Sequence, residues 1–280
     1  MPSALAPTDT RAFFRPVASE LVALLRRLES ADWDRPTVAG AWRVRDAVAH
    51  LVDLTFRRLS FHRDRMFPPP PPRPINSERD FVAFINDLNA EWVNASRRFS
   101  PRVLTDLFEK ASADLADWFE QLPFDTPALF GVSWAGEQTS EGWFDVGREF
   151  TELWHHQQQI RMAVGAPTLE DPRFLRAVLE IALRSLPHAY RNTPAVEGDA
   201  VAIQIDGVSG GSWTLERDAE RWLLRAGEPV LASTRVRISD DTAWKLFFNA
   251  LSEREARASL VVEGRADLAE PLVRARAIVV

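Results

Sequence analysis

Residues 145–165, DVGREFTELWHHQQQIRMAVG, place a carboxylate and two imidazoles, Glu152, His155 and His156, within five consecutive positions. Read as a helix at about 100° per residue, the stretch carries an apolar stripe through Val146, Phe150, Leu153, Trp154 and Ile160. Glu152 and His156 lie at the edge of that stripe. They are four residues apart and therefore neighbours on the helix. His155 points nearly the opposite way, so the angular count favours His156 as the partner of Glu152. Two groups do not make a site, and a third ligand has to come from elsewhere in the chain.

Upstream, the pattern is helical almost throughout. Residues 9–28 recur in three- and four-residue steps through Phe13, Phe14, Val17, Leu21, Leu24, Leu25 and Leu28. A loop punctuated by Pro36 and Gly40 follows. A second helix is expected over residues 44–65, with Val44, Ala47, Val48, Leu51, Val52 and Leu59 as its apolar face and His50 on its flank. Pro68 to Pro72 cannot be helical interior, so MFPPPPPRPINS reads as an exposed crossover or lid. Helices over residues 81–99 and 103–122 come next, the second preceded by Ser100-Pro101. The long aromatic loop PFDTPALFGVSWAGEQTSEGW leads into the Glu152/His156 helix. Loops of that length are usually functional or disordered, so it is expected over the site. Its Trp134 and Trp143 fit a pocket lining and ordinary packing equally.

Downstream, Gly165 and Pro167 end the helix, and residues 174–190 form another. After that the period changes. AVAIQID, GSWTLER, ERWLLRAG and TRVRIS are short alternating runs separated by turn residues, which is strand and hairpin signal. Ser239-Asp240-Asp241 then caps a helix over residues 242–251. A strand-like LVVEG and a short helix over residues 268–273 close the unit. The expected organisation is a helical bundle over residues 1–168, a connecting helix and linker over 169–194, and a small α+β domain over 195–280.

Composition narrows the possible functions. The 280 residues are 46% hydrophobic with ten Trp and seventeen Phe, enough for a large core, and the net charge is −6. No Lys/Arg stripe tracks phosphates, so nucleic acid is not an expected partner. No apolar run approaches the roughly 18–20 residues of a membrane span, and the N-terminus lacks signal-peptide regions. The expectation is a soluble, cytoplasmic protein. With no Cys, any sulfur nucleophile has to be borrowed.

His50 with Glu152 and His156 supplies two imidazoles and a carboxylate. Three such ligands leave a tetrahedral zinc one open position, the pattern of catalytic rather than structural sites. Helical bundles build sites in this way, from inward-facing side chains of adjacent helices. ExxxH is nevertheless common on amphipathic helices, and polar residues bordering a core read equally well from spacing alone. Asp46, four before His50, either orients that imidazole or complements the helix dipole. His62 and His188 lack acidic partners at ligand spacing and read as surface residues. There is no G-x-S-x-G elbow for a serine hydrolase.

A resemblance decides among these readings. Trp42-Arg-Val-Arg-Asp46-Ala-Val-Ala-His50-Leu51 resembles the W-x-V-x-D-x-x-x-H-L signature of the mycothiol-dependent maleylpyruvate isomerases, and EFTELWHHQQQIRMAVGAP resembles their second metal motif. ASTRVRISDDTAWKLFFNAL and LVVEGRADLAEPL are similar to the family's second domain. The resemblance implies a DinB-like four-helix bundle holding a divalent metal, most simply zinc, on His50, Glu152 and His156. It implies a sterol-carrier-like α+β domain after it, in which Arg235, Arg237 and Arg265 are the candidates for a catalytic Arg that binds carboxylates. A solvated surface position is the competing reading of each. The implied activity is a metal-dependent isomerase or transferase that uses a low-molecular-weight thiol such as mycothiol on a small carboxylated molecule. A metal-activated-water hydrolase and a non-enzymatic metal- or lipid-binding module are the alternatives.

Overall fold

The computed structural model describes residues 2–67, 70–169 and 171–279. Pro68 and Pro69 of the proline run lie outside the described residues. The chain forms two compact units. A helical unit takes in residues 10–129 and 152–169, and a sheet unit takes in residues 2–9, 130–151 and 171–278.

The helical unit contains α1 (Phe14–Leu25), α2 (Val44–Arg57), α3 (Glu78–Ser96), α4 (Pro101–Gln121) and the second part of α5 (Gly142–Val164). On α1, Phe14, Val17, Leu21, Leu24 and Leu25 are all buried, as their spacing requires. Each such side chain stabilises the fold by roughly 1.5–3 kcal/mol relative to an exposed one. The Ser77 hydroxyl starts α3 by accepting from the Asp80 amide at 3.1 Å. Ser100 starts α4 in the same way, with Pro101 at the first helical position. Helix α2 packs against α3 and α4, and α4 also packs against α1. Trp92 Nε1 donates to the Ala49 carbonyl at 2.7 Å and pins α3 to α2.

The periodicity of the second helix predicts an end near residue 65, but the α-helical ladder stops at Arg57. Arg58–Arg63 form a wider π-turn. Arg65 then leaves in the left-handed region with φ 57°. One extra residue per turn suffices to rotate the following side chains, and Arg58 Nη1 meets His62 Nε2 at 2.8 Å. His62 is therefore half-buried beside Arg58 and Trp118 rather than at the surface.

Besides its apolar stripe, α5 buries a run of polar side chains. Gln157, Gln158, Gln159 and Arg161 are almost fully enclosed. The unit holds them by hydrogen bonds: Arg161 Nη1 donates to the Pro167 carbonyl at 2.8 Å, and Gln158 Oε1 accepts from the Leu169 amide at 3.2 Å. Gly165, at φ 68°, ends the helix as expected.

The sheet unit is built on six strands: β1 (Ser3–Ala4), β2 (Ala200–Asp206), β3 (Gly211–Arg217), β4 (Trp222–Ala226), β5 (Thr234–Ser239) and β6 (Val261–Gly264). Their order is β1-β4-β3-β2-β5-β6. All neighbours are antiparallel except β2 and β5, which pair in parallel with Ile203 opposite Val236. The helices of this unit are the first part of α5, α6 (Pro172–Ala182), α7 (Leu186–Ala189), α8 (Asp240–Phe247), α9 (Glu253–Ser259) and α10 (Glu270–Arg274). The four alternating runs are strands within a residue or two of expectation. Two elements carry no sequence signal. The strand β1 is only two residues long, and α9 buries a single side chain, Ala256, being nucleated by the Ser252/Glu255 capping box. His188 is half-buried rather than exposed. Gly136, at φ 75°, lies so close that a Cβ there would meet His188 Nδ1 at 2.3 Å. Trp134 and Trp143 are packing residues: the first stands edge-on to Phe144 at 5.5 Å, and the Arg184 guanidinium lies 4.5 Å from the ring of the second. No described helix is long and apolar enough to cross a membrane.

Candidate metal centre

Inside the helical unit, α2 and α5 bring His50, Glu152 and His156 together. One ligand atom from each lies within 4.8 Å of the others. Glu152 Oε2 is 3.4 Å from His156 Nε2 and 3.9 Å from His50 Nε2. Ligand atoms about 2.0–2.2 Å from a tetrahedral zinc would stand roughly 3.3–3.6 Å apart, so the cluster has the dimensions of a metal site. Both imidazoles are more than nine-tenths buried.

The protonation pattern also fits a cation. His156 Nδ1 lies 2.8 Å from Gln159 Oε1. A carbonyl oxygen only accepts, so Nδ1 carries the proton and Nε2 is the nitrogen turned toward Glu152, 3.4 Å from Oε2. A positive species in that buried space, a proton or a metal ion, joins the carboxylate to the imidazole. Burial pushes the His50 pKa down to about 4, with the charges of His156 and Arg57 acting in the same direction and the Glu152 carboxylate opposing them. His50 is thus the neutral imidazole that a metal requires. Burial alone would raise the Glu152 pKa, but the facing imidazoles of His156 and His50 outweigh it and hold the group well below the usual carboxylate range. Two neutral imidazoles and one carboxylate leave a divalent ion with one net positive charge, a donor set suited to zinc and other imidazole-preferring metals.

Trp42 covers the two imidazoles. Its ring centroid lies 4.8 Å from that of His50 and 5.8 Å from that of His156. The preceding loop fixes it there: the Thr37 amide and hydroxyl both donate to the Trp42 carbonyl, at 2.9 and 2.8 Å, after Gly40 turns the chain at φ 61°. Asp46 does not orient His50. Its carboxylate accepts from the Arg43 amide at 3.0 Å and so closes the N-terminus of α2. His50 Nδ1 is buried with no hydrogen-bond partner. His155 is buried as well, with its ring 4.0 Å from that of His156, and is not one of the three converging groups.

Gln159 and Trp42 are the site residues that spacing leaves unassigned. Gln159 is legible in retrospect, since a polar residue three positions after a helical ligand can reach its outer nitrogen. Trp42 is part of the W-x-V-x-D-x-x-x-H-L run, but its place over the imidazoles does not follow from spacing, because a loop delivers it.

The three arginines expected to act on carboxylates belong to the sheet unit. Arg235 and Arg237 alternate with the buried Thr234, Val236 and Ile238 along β5 and are exposed on the same face. Arg237 pairs with Asp206 at 3.0 Å. Arg265 is tied to Asp199 at 2.9 Å and to Asp267 at 2.7 Å. Asp199 also accepts from Ser233 Oγ and the Val196 amide, so this cluster joins the turn before β2 to the ends of β5 and β6. Among the described residues Arg235 has no ion pair.

A helical unit with a His-Glu-His cluster on two of its helices, in a chain that also folds a six-stranded α+β unit, defines the class: a helical scaffold with a candidate metal cluster, in one chain with a mixed sheet. The sequence model of the mycothiol maleylpyruvate isomerase N-terminal domain matches residues 14–161, more than half of the chain and all three converging residues, and the chain belongs to that family. Two solved structures share the fold. A crystal structure of the mycothiol-dependent maleylpyruvate isomerase aligns over 84% of this chain and 86% of its own at 14% identity and a TM-score of 0.53. A mutant of that enzyme with one histidine replaced by alanine aligns over 90% and 91%, at 14% identity and a TM-score of 0.51. No curated protein sequence matches.

Proposed function

We propose that this protein is a divalent-metal-dependent isomerase or transferase of the cytoplasm that uses a low-molecular-weight thiol on a small carboxylated molecule, with His50, Glu152 and His156 as the metal ligands. The observation that carries this reading is the buried convergence of two imidazoles and one carboxylate, with a ligand atom of each within 4.8 Å of the others. Membership of the mycothiol maleylpyruvate isomerase family supports the thiol and the substrate class. Zinc is the metal we assign, because two imidazoles and one carboxylate leave it an open position.

A divalent ion held there supplies a Lewis acid able to lower the pKa of a thiol toward neutrality. The chain's own groups do the rest. Gln159 fixes the tautomer and ring orientation of His156. Glu152 remains ionised and offsets one of the two positive charges. Trp42 shields one side of both imidazoles from water. The absence of Cys means that the thiol comes from outside the protein. Arg235, Arg237 and Arg265 are the sheet-unit residues we assign to carboxylate binding. Arg235 leads them, because its fork is not committed to a carboxylate of the protein.

The test is elemental analysis of purified wild type and His50→Ala, followed by turnover of maleylpyruvate with and without mycothiol. One equivalent of divalent metal in wild type, its loss in the variant and a strict thiol requirement are expected. Metal-free wild type sinks the metal assignment, and thiol-independent hydrolysis sinks the thiol chemistry.

A further inference from the structure

The loop before α2 spends its hydrogen bonds on holding Trp42. The Trp42 amide donates to the Ala39 carbonyl at 3.1 Å, and the Trp42 carbonyl accepts from the Thr37 amide at 2.9 Å and the Thr37 hydroxyl at 2.8 Å. Pro36 and Arg43 bridge across the loop, and the Val44 amide donates to the Arg35 carbonyl at 3.0 Å. Both backbone groups of Trp42 are therefore fixed within a loop that closes on the first turn of α2, the helix of His50. Pro36, Val38, Gly40, Ala41 and Arg43 are exposed, whereas the indole is half-buried.

What the loop delivers is a third ring against two others. The indole stands 4.8 Å from His50 and 5.8 Å from His156, and the two imidazoles stand 4.9 Å apart and nearly edge-on. A rigid ring packed on both imidazoles takes up room through which water would reach an ion held by them. Three protein ligands leave one position on a four-coordinate ion and three on a six-coordinate one. Imidazole and carboxylate serve both geometries, so the ligands themselves do not choose. An apolar neighbour does choose, because each added water needs space and hydrogen-bond partners. The apolar shell of a site also governs solvent access and the pKa of what the ion binds, so a dry, singly open ion is the better activator of a thiol.

We propose that Trp42 sets the coordination number of the ion: its indole, locked by residues 35–44, closes the further water positions and leaves one opening for the outside thiol. This inference rests on the metal- and thiol-dependent reading given above. It makes Trp42 a positioning residue that acts through the ion and selects a metal content with four-coordinate geometry.

The experiment loads the full-length protein with cobalt(II), whose visible absorption is intense in a four-coordinate site and weak with five or six ligands, and measures bound cobalt in the same samples. The variants are Trp42→Ala, Trp42→Phe and Trp42→Leu, each checked by thermal melting. Wild type is expected to show the intense band with stoichiometric cobalt. Trp42→Ala is expected to keep its cobalt and lose most of the band, while Trp42→Phe, which retains an apolar ring, keeps most of it. Trp42→Leu is expected to fall between them and decides in the same way if Trp42→Ala does not fold. A band in the folded Ala or Leu variant as intense as that of wild type overturns the proposal. So does a weak band in cobalt-loaded wild type, or a Trp42→Ala protein that folds but binds no cobalt. Wild type that takes up no cobalt defeats the metal assignment and this inference with it, so the cobalt content tells the two failures apart.

Discussion

The two units use buried and half-buried polar groups in opposite ways. In the sheet unit, Asp199 accepts from Ser233 Oγ, the Val196 amide and Arg265, and Arg265 divides its donors between Asp199 and Asp267. Donors and acceptors balance, so the cluster is complete as it stands. In the helical unit, His50, Glu152 and His156 converge on one buried point, and His50 Nδ1 has no partner at all. A complete network is a structural device; an incomplete one at high burial needs an ion or a ligand to complete it. The same residue types yield different conclusions once their partners are counted.

The largest effect that would break this contrast is loss of metal. Glu152→Gln keeps the shape of the side chain but removes the only formal charge among the three ligands. Metal content measured after dialysis is expected to drop from stoichiometric to negligible, while the melting temperature of metal-free protein changes little, since the amide spares the desolvation of a buried charge but gives up its attraction to the imidazoles. Retention of stoichiometric metal would return the cluster to the structural class.

Asp199→Ala should behave in the reverse manner. It leaves the Val196 amide, Ser233 and Arg265 without their shared acceptor, costing about 2–3 kcal/mol for the set. Chemical denaturation reads that cost, and metal content is expected to stay unchanged. A variant as stable as wild type would show that the network contributes nothing.

Acid separates the units by pH window. The folded pKa of His50 is about 4 against an ordinary 6.5, with burial as the leading cause. Its neutral form is favoured by the fold, so metal-free protein is fully stabilised above about pH 6.5 and loses stability as pH falls from there to about 4. Asp199 has the same direction of dependence in a lower window. The Ser233 hydroxyl, with further help from the Val196 amide and Arg265, holds its carboxyl below the ordinary value of 3.8. That stability is present above the ordinary value and is lost only as pH falls below it. Hydrogen exchange followed from pH 7 to 3 is therefore expected to show the helical unit opening first. Simultaneous opening of both units, or the reverse order, would count against the assignment of His50 as a neutral, desolvated imidazole.

Much of this contrast is legible in the sequence, for physical reasons that differ by residue. His50, Glu152 and His156 are found because helical periodicity fixes which side chains share a face, and a site assembled from helices inherits that regularity. The strand around Val236 is found because one face is buried and the other is not, and those around Val201 and Trp213 because short apolar runs are bounded by turn residues. The failures occur where a contact depends on tertiary placement. Trp42 reaches the imidazoles from a loop, and Arg58 and His62 are turned inward by a π-turn that follows an unremarkable amphipathic run. The enclosure of Gln158 and Gln159 contradicts their polarity, and their bonds to the Leu169 amide and to His156 explain it only after the fold is known. The pairing of Arg265 with Asp199 and Asp267 likewise depends on tertiary placement, since Asp199 is 66 residues away in the chain.

The finest test compares the outer shells of the two networks. Gln159→Ala removes the acceptor that holds the His156 tautomer, and outer partners of metal-ligating histidines typically contribute 10- to 100-fold in metal affinity. Competition with a chelator should show a loss in that range with stoichiometry preserved, whereas Gln159→Glu, which retains an acceptor, should restore most of the affinity. The counterpart in the sheet unit is Tyr190, whose hydroxyl is buried and donates to the Leu268 carbonyl at 2.7 Å. Tyr190→Phe is expected to cost about 1 kcal/mol in denaturation and nothing in chelator competition. If Gln159→Ala instead lowered stability without touching metal affinity, the Gln159–His156 bond would belong with the Tyr190 bond as packing chemistry, and His156 Nε2 would lose the argument that fixes its lone pair toward the metal.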